Sequence, residues 1–364
     1  MSFLKNIFSK KDEPVKNNAE FWEWFRKHER TFFHVIRTGN DIEEKFFNKL
    51  SPKLDELKSG YFFLTGMCDE HTAELVITPD GAIRNIVFVE ELVAAAPVIP
   101  GWKFTALKPA LDIESVRITM GDYSFDRDTL SFYSNDLKDY PDEIDITVIH
   151  RDYTEENKST ITNGTYIFID NYIGELDSVT TIDNLIVAGK AEAGKELVPI
   201  GKLKAFLTWR QKEFIEKYEG VVPDGEDATH SVLEAELENG NKLVATVNTD
   251  ILNWENKASH PWILCVGITF DGSASNGMPD KETYTRLDDI EERIVQDLSE
   301  KDGYINIGRQ TADGLRNIYF ACKDFRKPSR VLHAITLEHQ GEQITYDIYK
   351  DKYWRSLDRF NPSY

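Results

Sequence analysis

The segment Asp271-Gly272-Ser273-Ala274-Ser275-Asn276-Gly277-Met278-Pro279-Asp280 lies between an expected strand and an expected helix, the place from which phosphate-binding loops present main-chain N–H groups. Its two glycines are five apart, as in a Walker loop. Met278-Pro279 stands where that motif needs Lys followed by Ser or Thr, so the cation that meets the terminal phosphates is missing. Two readings stay open. In one, Asp280 caps the following helix and the loop only enters it; in the other, Asn276, Gly277, Met278 and Asp280 form a recognition loop. There is no G-x-S-x-G nucleophile elbow. The eight histidines, at 28, 34, 71, 150, 230, 260, 333 and 339, form no H-E-x-x-H or H-x-H pair, and no metal is expected. The acidic runs Asp288-Asp289 with Glu291-Glu292, and Asp142-Glu143 with Asp145, lack EF-hand spacing and read as solvated faces. Glycoside hydrolysis needs two carboxylates facing one cleft, which a sequence does not display. No catalytic residue and no cofactor follow from these patterns. Trp354, three residues after Asp351, reads either as an aromatic anchor for a partner or as the edge of its own core. Trp22 and Trp24 are two apart, so on a helix one is expected to be buried and the other partly exposed unless a second surface covers it.

The elements that position these residues belong to a chain of 364 residues with 43 Lys plus Arg against 63 Asp plus Glu, a formal charge of −20. A hydrophobic fraction of 41% is enough for packed cores and rules out disorder along most of the chain. The acidity argues against nucleic acid, since affinity for a polyphosphate comes from cations that displace its counterions. It favours a protein with a basic surface, drawn in by long-range attraction. No apolar run reaches the length of a membrane span, and Cys68, Cys265 and Cys322 fall in no pairing pattern, so a cytoplasmic location is expected. Phe3, Leu4, Ile7 and Phe8, beside Lys5, Lys10 and Lys11, read as a short terminal turn that docks on its own domain, or as a membrane-surface helix.

Periodicity predicts helices over 21–39 and from Asp41 toward Leu57, then strands at 61–65 and 74–78, a helix over 83–96, and strands at 102–107, 116–120, 130–133 and 144–150. A helix at 160–172, a strand at 182–188 and a helix over 198–218 follow. Turn formers and clustered acids from Gly220 to Asp227 mark a linker, which divides an N-terminal domain (1–219) from a C-terminal domain (231–364) across 220–230. Asn239-Gly240 predicts a hairpin between 232–237 and 243–247. Beyond it the order is strand (262–270), helix (284–298), strands (304–309 and 317–322), helix (330–338) and strand (343–349). This β-α-β-β-α-β order is that of a ferredoxin-like domain, an antiparallel sheet with two helices on one face. The fold class is therefore α+β, with two domains, the first opening on helices. Residues 74–188 admit a similar order with an extra strand, as a diverged duplicate would.

His260-Pro261-Trp262-Ile263-Leu264, Asn276-Gly277-Met278-Pro279-Asp280, Leu287-Asp288-Asp289-Ile290-Glu291-Glu292, Arg316-Asn317-Ile318-Tyr319-Phe320 and Asp351-Lys352-Tyr353-Trp354 resemble the bacterial domain-of-unknown-function family 695 over about Ala258 to Phe360. The resemblance implies a fold and no activity. More distantly it points to the ribonuclease E inhibitor B-like α/β proteins, which act by binding another protein. The expected function is non-catalytic binding or regulation; the alternative is an enzyme acting on a small molecule in the cleft between the domains, where ligand sites commonly form.

Overall fold

The computed structural model describes residues 13–223 and 229–361. The readings made for Phe3 to Phe8, and most of the acidic part of the linker, lie outside these residues. Contacts divide the chain into two compact units, Met1–Lys108 and Pro109–Tyr364. The expected linker, 220–230, therefore falls within the second unit.

In the first unit, α1 (Asn18–Thr38) starts where Asn17 accepts a hydrogen bond from the Glu20 N–H at 2.9 Å, and it stops at Gly39, whose φ of 71° breaks the helical path. A π-helical turn (Glu43–Phe47) leads into α2 (Asn48–Leu57). Asp41, the expected start of this helix, takes a φ of 57°, and its carboxylate holds Lys45 at 2.7 Å. The sheet follows, with β1 (Phe62–Met67) antiparallel to β2 (Ala73–Thr78), and β2 parallel to β3 (Trp102–Ala106) by way of α3 (Ile83–Ala94). Trp102 and Phe104 lie on one face of β3 and meet Phe25 with ring centroids 4.9 and 5.4 Å apart. Trp22 and Trp24 are both buried, so the expectation that one stays partly exposed is corrected. The second covering surface is α3, whose Leu92 carbonyl accepts the Trp22 indole N–H at 2.7 Å.

The second unit holds two main sheets. A small hairpin of β4 (Ile118–Met120) and β5 (Tyr123–Phe125) precedes β6 (Leu130–Asn135) and β7 (Asp145–His150), then α4 (Lys158–Ile173), α5 (Glu175–Thr181), β8 (Asn184–Gly189), β9 (Val198–Pro199) and α6 (Leu203–Tyr218). The strands run in the order β8-β7-β6-β9. Phe125, Phe132, Ile146, Val148, Phe168 and Leu203 form the core of this layer. Pro199 is extended and pairs with Ser131, so α6 starts at Leu203 rather than at Val198. The strands of 74–188 lie in separate sheets on either side of Lys108. The duplication reading is thereby corrected: β2 and β3 complete their sheet with β1, and β7 completes its own with β6 and β8.

The second sheet has the order β10-β11-β13-β14-β12-β15, antiparallel at every pairing. Its strands are β10 (His230–Glu236), β11 (Lys242–Asn248), β12 (Trp262–Thr269), β13 (Tyr304–Ala312), β14 (Leu315–Cys322) and β15 (Gln343–Lys350), with α7 (Lys281–Asp297) after β12 and α8 (Arg326–Glu338) after β14. The predicted β10–β11 hairpin forms, but not through a two-residue turn with positive φ at both Asn239 and Gly240: the Gly240 N–H bonds to the Leu237 carbonyl at 2.9 Å, and of the two only Gly240 takes a positive φ, 81°. Alternation along each strand divides the side chains between two faces. Arg309 and Arg316 on one face reach Asp288 of α7, and the Ser329 carbonyl of α8 accepts from Tyr346 there. Ile263, Ile305, Ile307 and Tyr319 on the other pack with Trp354, Leu357 and Phe360.

Candidate functional site

The predicted site residues fall into two groups at opposite ends of β12. After its C-terminal end, Asn276 adopts a φ of 51° and Gly277 one of 81°. A Cβ at Gly277 would lie 2.9 Å from the Asp313 main chain, and its carbonyl accepts the Gly314 N–H at 2.8 Å, so the loop is tied to the β13–β14 turn. Met278 is half-buried, while Asp280 accepts the Thr283 N–H at 2.8 Å and caps α7. Beside the N-terminal end of β12, the Asp351 carboxylate accepts from the main-chain N–H groups of Arg355 (3.0 Å) and Ser356 (2.8 Å). Trp354 is 1% exposed and lies within the core. Eight residues of strand separate the two groups, about 23 Å. The structure does not bring them together.

A different set of residues converges. Gly174 ends α4 and begins α5 with a φ of 89°, and a Cβ there would lie 2.9 Å from the Ala110 main-chain nitrogen, so the turn packs closely on Ala110; α5 and α6 share a groove. Between them runs a groove of about 560 Å³, lined by Ile173, Asp177, Leu207, Gln211, Lys212 and Ile215 among others. On α6 the lining residues Lys204, Leu207, Thr208, Gln211, Lys212 and Ile215 follow the three- and four-residue steps of one helical face, a stripe about 17 Å long. Asp177, Gln211 and Ile215 also line a second compartment of about 320 Å³, whose far wall is Trp262, Lys323, Arg326, Lys350 and Lys352 of the second sheet and its turns.

Acids from the first layer hold that wall. The Asp183 carboxylate accepts from Lys350 at 2.7 Å and from Lys352 at 2.8 Å, one ammonium on each oxygen. Lys350 also donates to the Thr181 carbonyl at 3.1 Å, and Lys352 to the Asp142 carbonyl at 2.6 Å. Burial lowers the Lys350 pKa to about 8, against the pull of Asp183 and with the push of Lys352. Glu143 pairs with Arg355 at 2.7 Å, yet burial raises its pKa. Burial acts the same way on Asp142, but donors from Lys217 (2.7 Å), Tyr353 (2.7 Å) and Tyr218 (2.8 Å) outweigh it and hold its pKa below the usual value.

His260, one residue from the wall, is fully buried, and its Nδ1 lies 2.8 Å from the Ser259 hydroxyl oxygen. Ser259 donates its proton to the Asn256 carbonyl at 2.7 Å and so accepts from Nδ1–H, leaving Nε2 without a partner among the described residues. Burial, with Lys323 nearby, lowers the His260 pKa to about 3. A serine whose proton points to a carbonyl is not poised for attack. Among the described residues no group of His, Cys, Asp and Glu is arranged to hold a metal ion, and no helix is long and apolar enough to cross a membrane.

Sequence reasoning passed over Lys323, Arg326, Lys350 and Asp183, and met Lys352 only as part of the Asp351-Lys352-Tyr353-Trp354 motif. The only local signal was the spacing of Lys350 and Lys352, which puts both on one side of an extended chain. Their shared acid lies 169 positions from Lys352. No curated protein and no solved structure matches the chain. The match that is found begins at the end of β10, upstream of Ala258, and takes in β11 as well as the basic wall: residues 235–360 match the family model of a family of unknown function (DUF695).

Proposed function

We propose that the protein is a non-catalytic binding module that takes a helical segment of a partner protein into the groove between α5 and α6. The observation that carries this reading is the stripe from Lys204 to Ile215, three turns of helix facing α5 across an open channel with Leu207 and Ile173 at its base. A third helix can lay its own apolar stripe there. Ile215 is 57% exposed and Trp209, on the same helix, 53%, leaving apolar surface for a partner to cover. Asp183 is bound to Lys350 and Lys352, and Glu143 to Arg355, so these buried groups are engaged with one another, which favours recognition over chemistry.

The net charge of −20 favours a partner with a basic surface at long range, in keeping with the ribonuclease E inhibitor B-like analogy. The strand order β13-β14-β12-β15 supports a ferredoxin-like description of the C-terminal part of a two-domain chain. The three free cysteines favour the cytoplasm. The second reading, an enzyme acting on a small molecule in this cleft, draws on the depressed pKa of Lys350.

A photo-crosslinking residue at Ile215, compared with one at Val295 on α7, tests the binding reading. Capture of one protein from native lysate at 215 alone, lost with Leu207→Glu in a folded chain, is expected. Equal capture at both positions removes the groove from the function, and recovery of a tightly bound metabolite instead favours the enzyme.

A further inference from the structure

Six consecutive residues, 350–355, bind the second sheet to the first layer. They supply Lys350, Lys352, Tyr353 and Arg355 as donors, and the acceptors lie at 142–143 and 181–183: Asp183 takes both lysines, Asp142 the Tyr353 hydroxyl at 2.7 Å, and Glu143 the Arg355 guanidinium. Rings cross the same seam, Tyr140 meeting Tyr353 at 5.1 Å between centroids and the Lys352 ammonium lying 4.5 Å over Phe214. Each surface is shaped by its own layer. Behind the strip, the Asp351 N–H donates to the Pro261 carbonyl at 2.8 Å, and Trp354 is buried with Leu357 and Phe360. On the other side the Asp183 carboxylate accepts the Ile144 N–H at 2.6 Å, and Glu143 accepts from Asn184 at 3.0 Å. The core around Phe125 draws on residues 113–207 and the core around Trp354 on residues 233–360, so neither crosses the seam.

Burying an ion pair costs about as much as the attraction between its members restores, so a seam built of such pairs sets its closed and open states near one another. A shared apolar core would not. We propose that the two layers of the second unit part along this seam as rigid bodies, and that the strip 350–355 is a latch over the second compartment. The two walls of that compartment belong to different layers, with Gln211 and Ile215 on α6 facing Trp262 and Phe325, so parting opens it and leaves α5 and α6 in place. Both mating surfaces keep their shape when they separate, because the bonds behind them lie within one layer, and they re-form the same contacts on closing. The latch is independent of what the groove binds.

The test is covalent labelling of the full chain with an amine reagent and a thiol reagent, read by peptide mass spectrometry, with each rate divided by its value in the urea-unfolded chain. Lys352, 3% exposed, reports the seam, and Cys322, 0% exposed, reports global unfolding. Hydrogen exchange at the Leu357 amide, bonded to the Trp354 carbonyl at 2.8 Å, reports whether the strip itself comes loose. Lys352 is expected to be protected at least about tenfold less than Cys322, as for an opening short of unfolding, with Leu357 protected more than Lys352. Equal protection of Lys352 and Cys322 overturns the latch, because the layers then separate only when the chain unfolds. Equal protection of Lys352 and Leu357 overturns it too, because the strip then peels away alone. Asp183→Asn takes the shared carboxylate from two buried lysines, and Lys352 labelling is expected to quicken about tenfold or more with Cys322 unchanged. An unchanged Lys352 rate in the folded variant refutes the latch, and if the variant does not fold, the comparison in the native chain decides.

Discussion

The indole N–H of Trp354 donates to the main-chain carbonyl of His260 at 2.9 Å, joining two stretches of chain 94 residues apart. Trp354 adopts a φ of 56°, and its ring packs within the second core with Leu357 and Phe360. Trp354→Phe keeps an aromatic ring there but leaves a buried carbonyl unpaired, and is expected to lose roughly 1–3 kcal/mol. Trp354→Ala is expected to lose about 3–5 kcal/mol, because the ring is removed as well. Urea midpoints measure both, and a Phe variant as stable as the native chain would show that the hydrogen bond contributes nothing net.

Gly164→Ala tests the packing of α4. A Cβ at Gly164 would overlap the Phe125 ring, which is itself fully buried. The helix must move or the ring must leave its position, and a loss of about 1–3 kcal/mol is expected. The double variant Gly164→Ala/Phe125→Leu is expected to recover part of it, since the smaller side chain makes room.

Lys350 makes stability depend on pH. Its folded pKa, about 8, lies below the ordinary 10.5, so the unfolded chain holds the proton more tightly. Stability attributable to this group therefore rises as pH climbs from about 8 toward 10.5, and is flat below 8. Asp183, Lys352 and Glu143 are the charged groups that act on it. Urea midpoints at pH 7.5 and 9.5 are expected to rise more in the native chain than in Lys350→Met, in which Asp183 keeps Lys352 as its partner. Subtracting the variant removes the opposing contribution of Tyr353 and Tyr218, whose raised pKa values make stability fall near pH 10. A native chain no steeper than the variant would mean that Asp183 offsets the burial of Lys350 completely.

Asp280→Ala removes the cap of α7. A lower melting temperature is expected, with binding at the α5–α6 groove unchanged, because Asp280 lies beyond the opposite end of β12 from the basic wall. Met278→Ala is expected to leave groove binding intact as well, and loss of partner capture in a folded Met278→Ala chain would move the functional surface to this loop.

The local parts of this fold were legible. Asn239-Gly240 placed a hairpin because Gly240 accepts the positive φ that closes it, and the stripe of Leu287, Ile290 and Ile294 placed α7 because burial repeats with the helical turn. Pro199 was misread because an apolar stripe continued through a residue that the sheet keeps extended. α5 escaped because its seven residues are too few to show a period. The basic wall was invisible for a different reason. Its groups come from β15, the β14–α8 turn and Asp183, and nothing in linear spacing announces that two lysines share an acid from another layer.

The strand order has a consequence for how the chain is made. β12 is the uncharged run Trp262–Thr269, and both strands that cover its edges, β14 and β15, come later in the sequence. During synthesis this strand emerges with both rows of main-chain donors and acceptors bare, and stays so until residues as far as Lys350 have followed. A nascent or truncated chain that ends before β15 thus carries an apolar template open to any passing strand, the condition under which aggregation competes with folding.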